Sequence, residues 1–154
     1  MRFELLCVSK RPAGWVASAS DEYLARLQGK IALKCRELSP ITNAATPEQQ
    51  RSKEGTVILR AIGPGSIVVA LDERGEQWST TELAERLTQW REAAQDVVFV
   101  VGGAEGLAPE VRAAAVHTWA LSRLTLPHQL VRVIVLEQLY RAWSWLQGHP
   151  YHRA

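Results

Sequence analysis

Long apolar runs are missing from this chain of 154 residues. No stretch approaches the ~20 residues that a membrane-spanning helix needs, so no membrane partner is expected. The first residues lack the core of a signal peptide, because Glu4, Lys10 and Arg11 interrupt it. Cysteine is scarce: Cys7 and Cys35 are the only two, and both fall in segments that read as strands. They make neither a disulfide scaffold nor a metal site. They read as small buried hydrophobes in a reducing compartment, which points to a cytoplasmic protein with no metal. Internal repeats, low-complexity tracts and linkers are also absent, so residues 1–154 read as one domain with a single core. The phosphate fingerprints are missing too. There is no G-x-G-x-x-G spacing and no P-loop lysine, which disfavours a nucleotide-binding enzyme of the doubly wound class.

What is present is ordinary in bulk, with 47% apolar and 22% charged residues. Tryptophan is the exception. Trp15, Trp78, Trp90, Trp119, Trp143 and Trp145 are more than a core of this size requires. Rings at an interface and rings half-buried in the core both fit. The net charge of +2 hides a division: residues 1–70 carry +4, residues 71–110 carry −6 and residues 111–154 carry +4. A polarised surface can present a basic face to phosphates, although charge runs are also plain solvated faces.

Short apolar runs alternate with helical patterns. Strands are predicted over Arg2–Ser9, Ile31–Leu38, Ser66–Leu71 and Val97–Val101, with a brief one over Thr118–Leu121. Helices are predicted over Ala19–Leu27, Pro47–Ile62, from the capping box Ser79-Thr80-Thr81-Glu82 to about Ala94, from Pro109 to about Val116, and over His128–Leu146. Residues 39–46 read as a loop. Val97–Val101 is a continuous apolar run, as expected of a strand covered on both faces. The alternation implies an α/β fold with a mainly parallel sheet flanked by helices.

Three segments stand out for chemistry. Gly102-Gly103-Ala104-Glu105-Gly106 follows the buried strand and precedes a helix. Glycines at the carboxyl end of such a strand let a ligand approach the backbone, and a plain tight turn fits as well. Leu71-Asp72-Glu73-Arg74-Gly75 ends the preceding strand. Asp72 there suits a ribose hydroxyl or an ammonium, and equally a turn cap. Leu121–His128 combines three leucines with Ser122, Thr125 and Pro127. Such a loop could wrap an apolar, aromatic ligand and offer it free backbone groups, or serve as a buried connector. Beyond these, His149–Arg153 follows the last helix and supplies Tyr151 for stacking, His152 for proton transfer and Arg153 for phosphate pairing.

Taken together, GGAEGLAP, then LSRLTLPHQLVRVIVLEQLYRAW, then the terminal HPYHR resemble the bacterial 23S rRNA pseudouridine N3-methyltransferases of the SPOUT class. RFELLCVSK, Trp15 and Tyr23-Leu24 extend the resemblance over essentially the whole chain. It implies a C-terminal deep trefoil knot, which ordinary chain rules would not suggest. It also implies a homodimer and bound S-adenosylmethionine. Leu71, Gly102, Gly103 and the loop Ser122, Arg123, Leu124, Thr125, Leu126 and Pro127 would hold that cofactor, with adenine among Leu71, Leu124 and Leu126. The substrate implied is a pseudouridine in helix 69 of 23S rRNA, within the assembled ribosome. The tail of one subunit would lie near the cofactor of the other, with His152 and Arg153 as the catalytic pair and His128 as a second candidate base. This sequence departs from the pattern at Ala104, where many relatives have proline, at Arg123, and at residues 39–46, which have no basic side chain. A non-catalytic ribosome-binding factor of the same fold is the alternative reading.

Overall fold

The computed structural model describes residues 1–153. Its centre is strand β4 (Val97–Val101), buried along its whole length, as a run without a polar face must be. Around it lie β1 (Phe3–Val8), β2 (Leu33–Leu38), β3 (Ile67–Gln77) and β5 (His117–Ala120). All pairings are parallel, and the order across the sheet is β2-β1-β4-β3-β5. The helices between them are α1 (Gly14–Leu27), α2 (Pro47–Ala61), α3 (Thr80–Glu92), α4 (Pro109–Ala114) and α5 (His128–Leu146). A short 3₁₀ turn, Pro150–His152, follows α5.

Alternation along each strand builds two cores, because successive side chains point to opposite faces. Phe3, Leu5, Cys7, Val97, Phe99 and Val101 face one side, where α1, α3 and α5 add Leu27, Leu83, Leu87, Trp90, Val135, Leu136 and Leu139. Leu6, Val8, Val98 and Val100 face the other, covered by Ile58 of α2 and Val111 of α4. The two connections around β4 therefore run on opposite faces: α3 arrives over the first core and α4 departs over the second. Diverging connections open a crevice at the carboxyl ends of β3 and β4.

The expected sheet and helices are present, and α5 has the expected bounds. The capping box is made as its spacing requires. Glu82 N–H donates to Ser79 Oγ at 3.1 Å, and Ser79 N–H donates to the Glu82 carboxylate at 2.6 Å. Two elements differ from expectation. α1 begins at Gly14 instead of Ala19, with no side-chain cap to mark its start. Its entry is fixed from outside the helix, by Ala13 N–H donating to Gln129 Oε1 at 2.9 Å. β3 does not end at Leu71 but runs on to Gln77. Leu71 and Glu76 both pair with Trp119, so the residues between them are looped out as a bulge. Gly75 is needed there: a Cβ on it would lie 2.3 Å from the Thr118 carbonyl oxygen.

The tryptophans divide between core and surface. Trp90 and Trp119 are core rings, while Trp15 and Trp145 remain 59% and 47% exposed. Cys7 is buried, Cys35 is half-buried, and both are free thiols on the two neighbouring strands. Among the described residues, no helix is long and apolar enough to cross a membrane. No group of three His, Cys, Asp or Glu side chains among them could hold a metal ion.

Candidate functional site

Three chain segments leave the sheet at the carboxyl ends of β3, β4 and β5 and meet around one cavity of about 700 Å³. The β3 bulge supplies Leu71–Arg74, the turn after β4 supplies Val101–Leu107, and the connector into α5 supplies Leu121, Ser122 and Leu124–His128. Of the residues expected to hold a cofactor, Leu71, Gly102, Gly103, Ser122, Leu124, Thr125, Leu126 and Pro127 all line this cavity. Arg123 does not. Its neighbours line the cavity, but its own side chain is exposed to solvent, where the charge keeps its hydration.

The glycine turn is closed by Gly106 N–H donating to the Gly103 carbonyl at 3.0 Å, with Gly106 at φ +78°. Close neighbours leave no room for a side chain at Gly102 and crowd one at Gly103. A Cβ on Gly102 would lie 2.8 Å from the Gly106 carbonyl carbon, and one on Gly103 would lie 3.1 Å from Val8 Cγ1. The same Gly103 Cβ would meet the carboxylate of Glu54 at 3.5 Å. Glu54, on α2, is 3% exposed, and neither of its carboxylate oxygens has a hydrogen-bond partner. The Ile41 backbone and the Gln50 side chain draw near it without reaching hydrogen-bond geometry. Burial raises the pKa of Glu54 above the ordinary carboxylate value.

Asp72 resolves toward the turn. Its carboxylate accepts from the Arg74 backbone N–H and from Arg74 Nε, each at 2.9 Å, and from Arg112 Nη1 at 3.3 Å. Those bonds hold the bulge in shape and leave Asp72 little capacity for a ribose hydroxyl. Opposite it, Thr125 Oγ1 donates to Glu73 Oε2 at 2.6 Å, tying the connector to the bulge across the cavity. Leu124 N–H donates to Ser122 Oγ at 3.0 Å, while the Leu124 side chain stays 71% exposed. His128 opens α5 at the cavity edge. Burial, reinforced by the positive charge of Arg132, holds its imidazole below the usual histidine range.

The tail is docked, but not at this cavity. Ser144 Oγ donates to the His149 carbonyl at 3.1 Å, and Tyr151 N–H donates to His149 Nδ1 at 3.2 Å. The Tyr151 ring packs edge-on against Tyr140 at 4.6 Å. Its hydroxyl lies 3.2 Å from both Tyr23 Oη and Glu137 Oε1, and burial raises its pKa. The His152 ring sits edge-on to Trp145 at 5.1 Å, and Arg153 is exposed. None of these residues lines the cavity of the same chain. His128 and the tail stand at opposite ends of α5.

Sequence reasoning missed Trp119, which lines the cavity and stacks on Trp78 at 5.0 Å between ring centroids. It also missed Glu54. The only hint for Trp119 was its place just ahead of the connector. For Glu54 there was none, since an acid in a polar helix reads as solvated.

Comparison with known proteins gives the family and the fold. The family described as "Predicted SPOUT methyltransferase" matches residues 1–152. The ribosomal RNA large subunit methyltransferase H of Methylococcus capsulatus is 45% identical over 155 residues, covering 99% of this chain and 100% of that protein. The protein of the same name from Burkholderia vietnamiensis is 44% identical over 156 residues, covering both chains completely. Among solved structures, a methylase family protein of Haemophilus influenzae superposes with a TM-score of 0.57 at 14% identity, over 95% of this chain and 67% of that one. One from Neisseria gonorrhoeae gives 0.58 at 14% identity, over 90% and 81%. At that identity the likeness is one of fold. With the family matched from end to end and close relatives at full coverage, the chain belongs to the SPOUT methyltransferases, alongside the ribosomal RNA large subunit methyltransferase H proteins, and is a methyltransferase.

Proposed function

We propose that this methyltransferase is a homodimer that uses S-adenosylmethionine to methylate N3 of a pseudouridine in helix 69 of 23S rRNA, on the assembled ribosome in the cytoplasm. The observation that carries the reading is the meeting of the β3 bulge, the glycine turn and the Leu121–His128 connector around one cavity. The names of the relatives support rRNA as the substrate class. The deep trefoil knot belongs to the same reading, because two loops closing on one cavity is the arrangement that threading the C-terminal segment would leave.

The cavity suits the donor in size and chemistry. A volume of about 700 Å³ lies within the range of small-ligand pockets. Leu71, Leu124 and Leu126 give an apolar wall for adenine, and the bare backbone of Gly102 and Gly103 allows close approach. Asp72, Glu73 and Glu105 outnumber the one arginine, Arg74, on the lining, a balance that favours a ligand with a positive charge. When bound, the donor supplies an electrophilic methyl group. Arg123, turned to solvent, is not assigned to it.

The chain's own residues do the rest. In this reading N3 of the base loses an imide proton as it becomes a nucleophile, and His152 accepts that proton. Arg153 stabilises the developing imidate. General-base help of this kind is typically worth ~10²–10⁴-fold. Both residues act on the partner's cavity. α5 spans 19 residues, about 28 Å at the α-helical rise, with the cavity at one end and the tail at the other. A two-fold pairing with antiparallel α5 helices would bring each tail to the opposite cavity. The exposed Trp145 and Leu146 beside the tail, and Trp15 beside the start of α5, are the apolar surface such a pairing would cover.

The test is methylation of ribosomes from a strain lacking the modification, with labelled S-adenosylmethionine and mass mapping of the product. A labelled N3-methylpseudouridine in helix 69 is expected; label at another nucleotide overturns the assignment. A ribosome-binding factor without activity would bind no labelled donor.

A further inference from the structure

Glu54 is a buried carboxylate with no hydrogen-bond partner, held against the back of the turn that lines the cavity. The two meet at Gly103, which lines the cavity and where a Cβ would lie 3.5 and 3.6 Å from the two Glu54 oxygens. An isolated carboxylate is costly to enclose, so such groups either pair with a cation or take up a proton. The groups around this one offer no cation. Val8 of β1 is apolar, Gln50 and the Ile41 backbone are neutral, and Glu105 on the turn is negative. The nearby Arg51 guanidinium is directed at the Glu105 carbonyl oxygen, 3.4 Å away.

We propose that Glu54 is a positioning residue that reads the positive charge of the methyl donor through the gap at Gly103. This rests on the donor reading above. With no cation beside it, burial favours the protonated acid. A sulfonium in the cavity supplies the missing cation, so donor binding and Glu54 ionisation favour each other. The spent product, a neutral thioether with the same skeleton, gains nothing from Glu54. The residue therefore discriminates donor from product without touching either.

Calorimetry with the whole protein in buffers of different ionisation enthalpy tests this. S-adenosylmethionine should bind with net proton release, and S-adenosylhomocysteine should not. E54Q should weaken the donor about tenfold, leave the thioether within about twofold, and abolish the proton release. His128, which also lines the cavity, could release a proton as well, and E54Q separates the two sources. If E54Q does not fold, the wild-type buffer series and E54D still decide. Donor binding without proton release, or an unchanged donor-to-thioether ratio in E54Q, overturns the role of Glu54 alone. Failure of the wild-type protein to bind S-adenosylmethionine at all overturns the donor reading beneath it.

Discussion

At the scale of single residues, the site is defined as much by absent side chains as by present ones. Gly103→Val would place carbon atoms against Val8 and Glu54, and should abolish donor binding measured by calorimetry. Gly102→Ala meets backbone instead of side chain, so the turn must shift. A cost of roughly 1–3 kcal/mol is expected in chemical denaturation. Glu54 gives a signed pH prediction. Its folded pKa is raised above 4.5. Its contribution to stability is therefore present below that value and lost as pH rises through the folded pKa, because the native state then holds the extra proton. E54Q should gain in melting temperature relative to wild type on moving from about pH 5 to about pH 8; parallel curves would show that Glu54 does not titrate in this range. The glycines were readable from their place after an apolar strand. Glu54 was not, since burial of an acid is a property of what packs over it.

At the scale of elements, the long periodic segments announced themselves and the irregular ones did not. The capping box at Ser79 is local chemistry within four residues, and it was legible for that reason. Ser79→Ala should cost about 1 kcal/mol in denaturant melts and leave donor affinity unchanged, because α3 does not line the cavity. The true start of α1 carries no cap signal, since its first turn is tied to Gln129 of α5, far away in sequence. The bulge of β3 is similar. Asp72–Gly75 reads as a turn because its residues are turn residues, yet β5 captures the strand again beyond it. Gly75→Ala drives a Cβ into the Thr118 carbonyl. It should lower the melting temperature and weaken donor binding together, since the bulge is a wall of the cavity.

At the scale of the whole molecule, the proposed dimer would complete each cavity with the tail of the other copy. Mixing Gly103→Val protomers with Arg153→Ala protomers tests this. Each homodimer should be inactive, while a hybrid would join one intact cavity to one intact tail. Random exchange should restore roughly a quarter of wild-type methyl transfer; a mixture as inactive as its parents would mean that the tail does not act across the dimer. Arg153→Ala alone should cut methyl transfer with donor affinity nearly intact, and unchanged turnover would exclude Arg153 from the chemistry.

By itself, the sequence determined the α/β class, the central strand, the last helix, the glycine turn and the leucine-rich connector. Each of these is encoded by periodicity, capping or conformational preference over a few neighbouring residues. Tertiary structure alone decided that β3 bulges instead of ending, that Asp72 is consumed by two arginines, that Arg123 faces water, and that Glu54 is sealed behind Gly103. It also set the tail at the far end of α5 from the cavity of its own chain. These outcomes depend on which distant segments pack together, and packing between remote parts of a chain leaves no mark on the local pattern of residues.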